Sequence, residues 1–440
     1  MGMNWRKVLA TSLTAALAVS LVAGCGGKKE ETPAPGGTTN TPAPAPQEKV
    51  QLEFWAHWSS AERRPTIDKI IQTWNDKNPN IQVKYTAVPF DQIITKFQAG
   101  VTAGNAPDVA VLDVFTTQQR AAKKQNLDLS ALGADSLKSE FFAAPWSAGT
   151  WNGKQHSLPF YTDTRLLFYN KAAFKEVGLD PNKGPVSWDE LWAMADKLDK
   201  KSGNTLERVG FHPNFGSDFA LWILNNKSAF WDAKMEKPQI NNPVAVETLD
   251  WMKKWNDRYG NEAWSAFKAT FQGGANDAFI SGKIAMKIDV ATFASQIKKY
   301  APTMEYGMVP IPTKDGKQHP ATSWSGGFQL EIPSNTKHPK EAYAFAKYLA
   351  TEGAAVWAAE QYSFPGWKKG AEGINDPVFK AMLDNMPNTI FYPRPLVAMD
   401  YGTAVQKAVD DVFAGKAATK AALDEAQKAV EQMVKDNAGK

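Results

Sequence analysis

Five histidines, His57, His156, His212, His319 and His338, are spread through the 440 residues with no H-E-x-x-H run and no close pair, so the ligand spacing a zinc ion requires is missing. No G-x-S-x-G elbow offers a serine nucleophile, and Gly282-Lys283 lacks both the upstream glycine and the following Ser or Thr of a phosphate-binding loop. Two carboxylates brought close by folding could still hydrolyse a glycosidic bond. The chain is rich in tryptophan, with 16 residues, more than cores ordinarily use, which leaves rings for a surface or a cleft. Flat rings and carboxylates together do non-covalent chemistry: the ring offers an apolar face and the acid accepts hydrogen bonds. The candidates are His57-Trp58-Ser59, Asp113, Trp222, and Trp324 ahead of Gly326-Gly327.

The elements that position these residues follow from hydrophobic spacing. Val50-Gln51-Leu52-Glu53-Phe54 alternates as a strand with one buried face and leads into Ala56-His57-Trp58-Ser59-Ser60. Ile67, Ile70, Ile71 and Trp74 fall at helical spacing, stopped by Asn78-Pro79. Ile81, Val83 and Tyr85 alternate, Ile94, Phe97, Gln98 and Val101 form a second helical stripe, and Asp108 to Asp113 reads as a third strand. This β-α-β-α-β order predicts parallel strands joined by right-handed crossovers. Ligands of such sheets gather at the carboxyl ends of the strands, where His57, Trp58 and Asp113 fall. Trp58 fits a cleft or a core, and Asp113 a cleft or a helix cap. Trp222, at helical spacing with Phe219 and Ile223, fits a core as well as a cleft. Trp324 stands where the missing side chains of Gly326-Gly327 would let a ligand reach backbone, or else in a core.

Further along, Ser187-Trp188-Asp189-Glu190 is a capping box, which makes its acids caps before catalysts. Asn242-Pro243 starts a helix with Leu249, Met252, Trp255 and Tyr259 on its buried side. Lys283 to Ile288 and Tyr306 to Ile311 read as strands. Ala342, Phe345, Ala346 and Leu349 stripe another helix, and a last helix runs from about Lys420 to Lys435. There is no internal repeat.

The amino terminus has its own logic. Arg6 and Lys7 precede an apolar run from Val8 to Ala23 that is short for a membrane span and ends in small residues, the pattern of a secretory leader over residues 1–24. Val22-Ala23-Gly24-Cys25 resembles the lipobox of bacterial lipoproteins, which implies that Cys25 is diacylated and becomes the mature N-terminus; the alternative is an incidental cysteine beside a simple cleavage site. Residues 25–49, rich in Pro, Gly, Thr and Lys, have too little to bury and read as an extended tether. As the only cysteine, Cys25 excludes an internal disulfide. The formal charge of +4 falls to +2 once Arg6 and Lys7 leave with the leader. The basic residues form no stripe, so nucleic acid is not an expected partner. The remaining roughly 390 residues exceed what one core usually serves, and two lobes are expected.

Four stretches then resemble the family 1 extracellular solute-binding proteins, the receptors of sugar ABC importers, in order and spacing: Ala103 to Val109 ("AGxxPDV"), Gly153 to Phe160 with Asp163 and Leu167-Phe168-Tyr169-Asn170-Lys171, Phe279 to Met286 ("F-x-x-G-K-x-A-M"), and Gly326-Gly327 with Ile332 and Lys337 to Ala342 ("KHPxEA"). The resemblance runs from about residue 50 to the C-terminus. It implies an α/β, two-lobed periplasmic-binding-protein fold of type II, each lobe a mostly parallel sheet flanked by helices, the lobes joined by hinge crossovers. The crossings fall near 162–165, 325–327 and 365–370, giving lobe 1 residues 50–162 plus 326–367 and lobe 2 residues 163–325 plus 368–440.

Sugars show an apolar C–H face and a rim of hydroxyls, which aromatic rings and carboxylates satisfy in turn. By resemblance Asp163 is the sugar-binding acid of the first crossover, with a hinge or turn cap as its other reading. Asp289 and Thr292 stand where many relatives read Gly and Trp, so stacking there is in doubt unless Phe293 substitutes. Arg394, between two prolines, and Tyr401 match late cleft residues. The implied protein is a substrate-binding lipoprotein without catalysis, metal or cofactor. It would be monomeric and held on the outer side of the cell membrane by its lipid, and would deliver a sugar, with an oligosaccharide expected, to two permease subunits and their ATPase. The alternatives are a secreted glycoside hydrolase and a receptor for a non-sugar solute; ferric iron is disfavoured because no adjacent Tyr-Tyr occurs.

Overall fold

The computed structural model describes residues 49–203, 205–232, 235–391, 395–398 and 400–437. The leader, Cys25, all of the tether but Lys49, and Arg394 lie outside these residues.

The first strand, β1 (Val50–Ala56), buries Leu52, Phe54 and Ala56 on one face, as its alternation requires. Helix α1 (Arg64–Lys77), with a proline in its first turn, buries Thr66, Ile67, Ile70, Ile71 and Trp74. Strand β2 (Ile81–Ala87) pairs parallel to β1, from Val50 with Ile81 to Ala56 with Ala87. Helix α2 (Phe90–Ala103) buries Ile93, Phe97 and Gly100, a stripe rotated from the expected Ile94, Phe97, Gln98 and Val101. Gly100 draws that face inward: a Cβ there would stand 2.9 Å from the Ala106 Cα. Strand β3 (Val109–Asp113) pairs parallel to β1, so the β-α-β-α-β expectation holds.

The chain then leaves this lobe and re-enters it. Strand β4 (Ser157–Thr162) is buried throughout and passes through Asp163-Thr164 into β5 (Arg165–Asn170). Helices α3 (Trp188–Leu198), α4 (Phe219–Asn225) and α5 (Pro243–Tyr259) follow. Ser187 caps α3 by accepting from the Glu190 N–H at 3.2 Å, while the Glu190 carboxylate accepts from the Val186 N–H at 2.9 Å, one residue before the usual box partner. Then come β6 (Met286–Val290), α6 (Phe293–Tyr300), β7 (Tyr306–Val309) and β8 (Ser323–Ser325). Strand β9 (Gly327–Glu331) brings the chain back beside β4 and β3. Helices α7 (Pro339–Tyr348) and α8 (Ala354–Gln361) lead to β10 (Phe364–Pro365). Strand β11 (Thr389–Phe391) pairs parallel to β8, and α9 (Tyr401–Phe413) and α10 (Thr419–Asn437) close the chain.

The larger sheet has the order β10-β4-β9-β3-β1-β2 and the smaller β6-β5-β7. They are less parallel than expected. Because β4 carries the chain out and β9 carries it back, β9 runs antiparallel to both β4 and β3, and the smaller sheet is antiparallel throughout. Buried apolar side chains form one cluster around Leu52, Phe54, Phe160, Leu330 and Trp357, and a larger one around Leu167, Phe168, Trp222, Ile288 and Val412. Helix α8 serves both, with Trp357 in the first and Ala358 in the second.

Two buried devices hold β9 in place. At Gly327, φ is +146°, and a Cβ would meet the Tyr161 carbonyl at 2.7 Å, so only glycine lets β9 pass this close to β4. At the other end of β9, Glu331 and Arg120 are both 0 % exposed and form a two-pronged ion pair, Nε to Oε2 at 2.7 Å and Nη2 to Oε1 at 2.5 Å. Thr117 Oγ1 and Asn126 Nδ2 also donate to Glu331, and Arg120 donates to the Asp113 carbonyl. The pair thus pins β9 to the turn that follows β3.

Candidate ligand-binding site

Where β4 runs into β5 and β8 into β9, three side chains converge on Gly326. Asp163, 8 % exposed, accepts at Oδ1 from the Gly326 N–H (2.9 Å) and from Arg165 Nη1 (3.3 Å). Arg165 Nη1 also donates to the Trp324 carbonyl (2.8 Å), and its guanidinium lies 3.4 Å from the centre of the Trp324 ring. Among the described residues nothing donates to Asp163 Oδ2, and a side chain at 326 would crowd it: a Cβ there would be 3.3 Å away. Gly326 therefore leaves a carboxylate oxygen approachable beside an indole and a guanidinium, an acceptor, an apolar face and donors within one patch. The structural reading of Asp163 is seen directly, since Oδ1 ties the two crossings together, and Oδ2 takes no part in that tie.

The patch continues along the carboxyl ends of the first sheet. Phe115 meets Trp324 edge-on at 5.6 Å, and Asp113 accepts from the Phe115 N–H at 2.8 Å, so Asp113 is the cap of the short turn after β3. His57 packs its ring against Phe328 (4.7 Å) and Phe90 (5.2 Å). Its pKa falls from the ordinary 6.5 to about 3, chiefly because burial disfavours the imidazolium, with the Arg63 charge adding to it. Ser59 is exposed, its N–H bonded to the His57 carbonyl.

Asp289 ends β6 beside the first crossing, where Val290 pairs with Arg165. Its Oδ2 is 2.8 Å from Lys287 Nζ, which also reaches Asp277 at 2.8 Å, and its Oδ1 accepts from the Val290 N–H. Burial works against the Lys287 charge, but Asp289 and Asp277 outweigh it and hold the ammonium pKa above its usual value. Thr292 is buried at the start of α6, without a side-chain cap bond.

Three of the candidates are mainly core residues, which for Trp58 and Trp222 corrects the cleft reading and takes the core one. Trp58 is 1 % exposed and lies in the first core, 4.3 Å from Trp357 and close to Phe160 and Tyr161. The alternation of β1 runs two residues past its end, so Trp58 follows Leu52, Phe54 and Ala56 inward and His57 takes the outer face. Trp222 is 0 % exposed, its Nε1 donating to the Pro213 carbonyl and its ring packed on Trp188 and Trp251, because all of α4 but Ala220 is buried. The surplus of tryptophan is mostly core. Tyr401 is also mainly buried, edge-on to Trp231 at 5.6 Å, but with Asp218, Phe219, Phe230 and Asp400 it borders a depression of about 240 Å³ at the start of α4. Helix α4 runs beside β8, Asn225 donating to the Thr322 carbonyl. The structure thus links His57, Asp113, Asp163, Trp324 and Gly326 through these contacts, leaves Asp289 paired with Lys287 beside the first crossing, and withdraws Trp58 and Trp222.

Sequence reasoning missed Arg165, Phe115, Phe328 and Phe90. Of these only Arg165 carried a signal, a cation two residues after the crossover acid. It also missed a bridge between the lobes: Glu62, ahead of α1, accepts from Lys299 Nζ at 2.7 Å and from the Tyr300 hydroxyl of α6. These bonds, the Lys299 one foremost, bring the Glu62 pKa down to about 2. Among the described residues no helix is long and apolar enough to cross a membrane, and no three His, Cys, Asp or Glu side chains gather as metal ligands would.

The neutral state of His57 has a measurable consequence. The folded pKa lies below the unfolded one, so the unfolded chain binds more protons between pH 6.5 and 3 and stability falls as pH drops through that window. From pH 6.5 to 4.5, above the range of ordinary carboxylates, His57 is expected to cost about 1 kcal/mol per pH unit. Urea unfolding at pH 7.5, 6 and 5 should show a slope that His57→Phe reduces by that amount; equal slopes in both proteins would refute the assignment.

Comparison with known proteins places this geometry. The family profile described as bacterial extracellular solute-binding protein matches residues 57–356. The multiple sugar-binding protein of Streptococcus mutans serotype c is 25 % identical over 341 residues, covering 75 % of this chain and 77 % of its own. The sn-glycerol-3-phosphate-binding periplasmic protein UgpB of Escherichia coli (strain K12) is 27 % identical over 338 residues, 71 % and 73 % of the two chains. Among solved structures, CpMnBP1 with mannotriose bound superposes with a TM-score of 0.79 at 29 % identity, over 87 % of this chain and all of that one.

Proposed function

Because this chain belongs to the family of bacterial extracellular solute-binding proteins, we propose that it captures a sugar between its two lobes and hands it to the membrane subunits of an ABC importer. The observation that carries this reading is the patch at the crossings: Asp163 Oδ2, the Arg165 guanidinium and the Trp324 ring set a hydrogen-bond acceptor, donors and a flat apolar face within one ring's reach. The sugar-binding names of the Streptococcus mutans relative and of the mannotriose complex support it. Asp113, Asp289 and the aromatic row of Phe115, Phe328 and His57 extend the site on the same reading. Ser59, Thr292 and Tyr401 are lesser candidates on the same reading, and Arg394 is one on the sequence resemblance alone.

The lobes we assign are residues 50–162 with 326–367 and residues 163–325 with 368–440. The two hydrophobic clusters support the first of these limits, since Leu158 and Phe160 belong to one and Leu166 to the other, while near the last limit the clusters interleave, Trp367 packing against the first and Ala358 and Phe364 belonging to the second. On this reading residues 1–24 are a lipoprotein leader, Cys25 carries the lipid and residues 25–49 are the leash that holds a monomeric receptor near its permease.

A phosphorylated polyol is the second reading, favoured by the Escherichia coli relative. The carboxylates of Asp113, Asp163 and Asp289 around the crossings weigh against a doubly charged ligand.

Thermal unfolding with mannobiose, mannotriose, maltotriose and sn-glycerol 3-phosphate tests the choice. A saccharide at a hundred times its Kd should stabilise the fold by about 2.7 kcal/mol. A shift with glycerol phosphate and with no saccharide would overturn the sugar reading, and shortened oligosaccharides after incubation would replace it with a hydrolase.

A further inference from the structure

Phe90, the first residue of α2, is 53 % exposed, more than any other large apolar side chain among the described residues. It does not stand alone. Its ring lies edge-on to His57 at 5.2 Å and to Phe328 at 6.1 Å, and His57 and Phe328 are 4.7 Å apart. Together the three rings make a continuous step, one side covered by protein and the Phe90 ring open.

The sheet fixes where that step lies. Phe328 of β9 pairs with Asp113 of β3, and His57 follows the last residue of β1, the strand on the far side of β3. Two strand spacings separate β9 from β1, roughly 10 Å, more than one pyranose ring spans. At the near end, Gly326 and Trp324 immediately precede β9, and Phe115 touches the Trp324 ring. The far end carries its own polar group: among the described residues the buried His57 Nδ1 has no hydrogen-bond partner.

From this we infer that Phe90, with His57 and Phe328, forms an outer sugar subsite, so that the ligand is an oligosaccharide whose second or third ring stacks on Phe90. The inference rests on the sugar reading above. A lone exposed phenylalanine that merely began a helix would need no aromatic neighbours, and one that served the core would be buried in it. Phe90 instead completes a ring group with His57 and Phe328, whose β3 partner Asp113 caps the turn carrying Phe115, and its open face is apolar, as the C–H face of a pyranose requires.

The test compares Phe90→Ala with the wild type by calorimetry against mannose, mannobiose and mannotriose, and against glucose, maltose and maltotriose. Wild-type affinity should rise with chain length. The variant should lose about three- to tenfold on the trisaccharide and nothing on the shortest member that binds, and Phe90→Trp should recover the loss. Because the ring is exposed, the melting temperature without ligand should not move. Equal losses at every length, no loss at all, or a wild type indifferent to length would overturn the subsite while leaving a sugar receptor. A wild type that takes none of the six would overturn both.

Discussion

Glu331→Ala is expected to lower the unfolding free energy by about 3–5 kcal/mol. Removal of the carboxylate leaves Arg120, 0 % exposed, with a charge and no counter-ion, and takes the acceptor from Thr117 and Asn126. The remaining bonds of Arg120, to Thr116 Oγ1, Thr117 Oγ1 and the Asp113 carbonyl, cannot neutralise it. Replacing both partners by apolar residues of similar size, Arg120→Met with Glu331→Leu, should recover most of the loss, because desolvating the two charges offsets much of what their attraction contributes. Urea titration with an unchanged m-value is the measurement. A single replacement costing under about 1 kcal/mol would mean that the pair is far wetter than its burial indicates. The functional echo should appear as weaker ligand binding in the single variant, since the pair anchors the turn that carries Asp113 and Phe115.

The second large effect is expected at the crossings. Trp324→Ala removes the ring on which Arg165 lies and should weaken saccharide binding by about 1–3 kcal/mol with a small change in stability. Asp163→Ala should weaken binding by a similar amount but also destabilise the fold by about 1–3 kcal/mol, because the Gly326 N–H loses its acceptor in a buried place. Asp163→Asn separates the two roles: Oδ1 can still accept from Gly326, so stability should largely return while affinity stays reduced. Calorimetry and unfolding on the three variants decide it, and an Asp163→Asn protein that binds as the wild type does would remove the carboxylate from the site.

Local order was legible in the sequence where one segment determines its own structure. The alternation of Leu52, Phe54 and Ala56, the stripe on α1 and the caps at Ser187 and Asn242 all formed as spacing required. What spacing could not show was the side to which a residue just beyond an element turns. His57 and Trp58 were both expected at the strand's exit, and Trp58 turned inward because the strand's parity outlasts its hydrogen bonds. Long-range partners were invisible for a simpler reason: Arg120 meets Glu331 across 211 residues, and Arg165 meets the Trp324 carbonyl across 159. Tryptophan number was a poor guide to the cleft, since indoles such as Trp222 and Trp255 fill cores that a long α/β chain must pack somehow. The crossover acid was found through resemblance, and its structural bond to Gly326 only through the fold.

Helix α8 gives its neighbouring residues Trp357 and Ala358 to different cores. On the proposed two-lobed reading, a rod embedded in both halves cannot travel with either one alone and would serve as an axle, with displacement least along its length and growing with leverage toward the outer rims. The Glu62 to Lys299 tie spans the gap a few residues' width from that axle, acting through Gln361, which donates to the Glu62 carbonyl. A fastening so near the pivot restrains angle poorly and position well, leaving the mouth to swing while the two bodies keep their alignment.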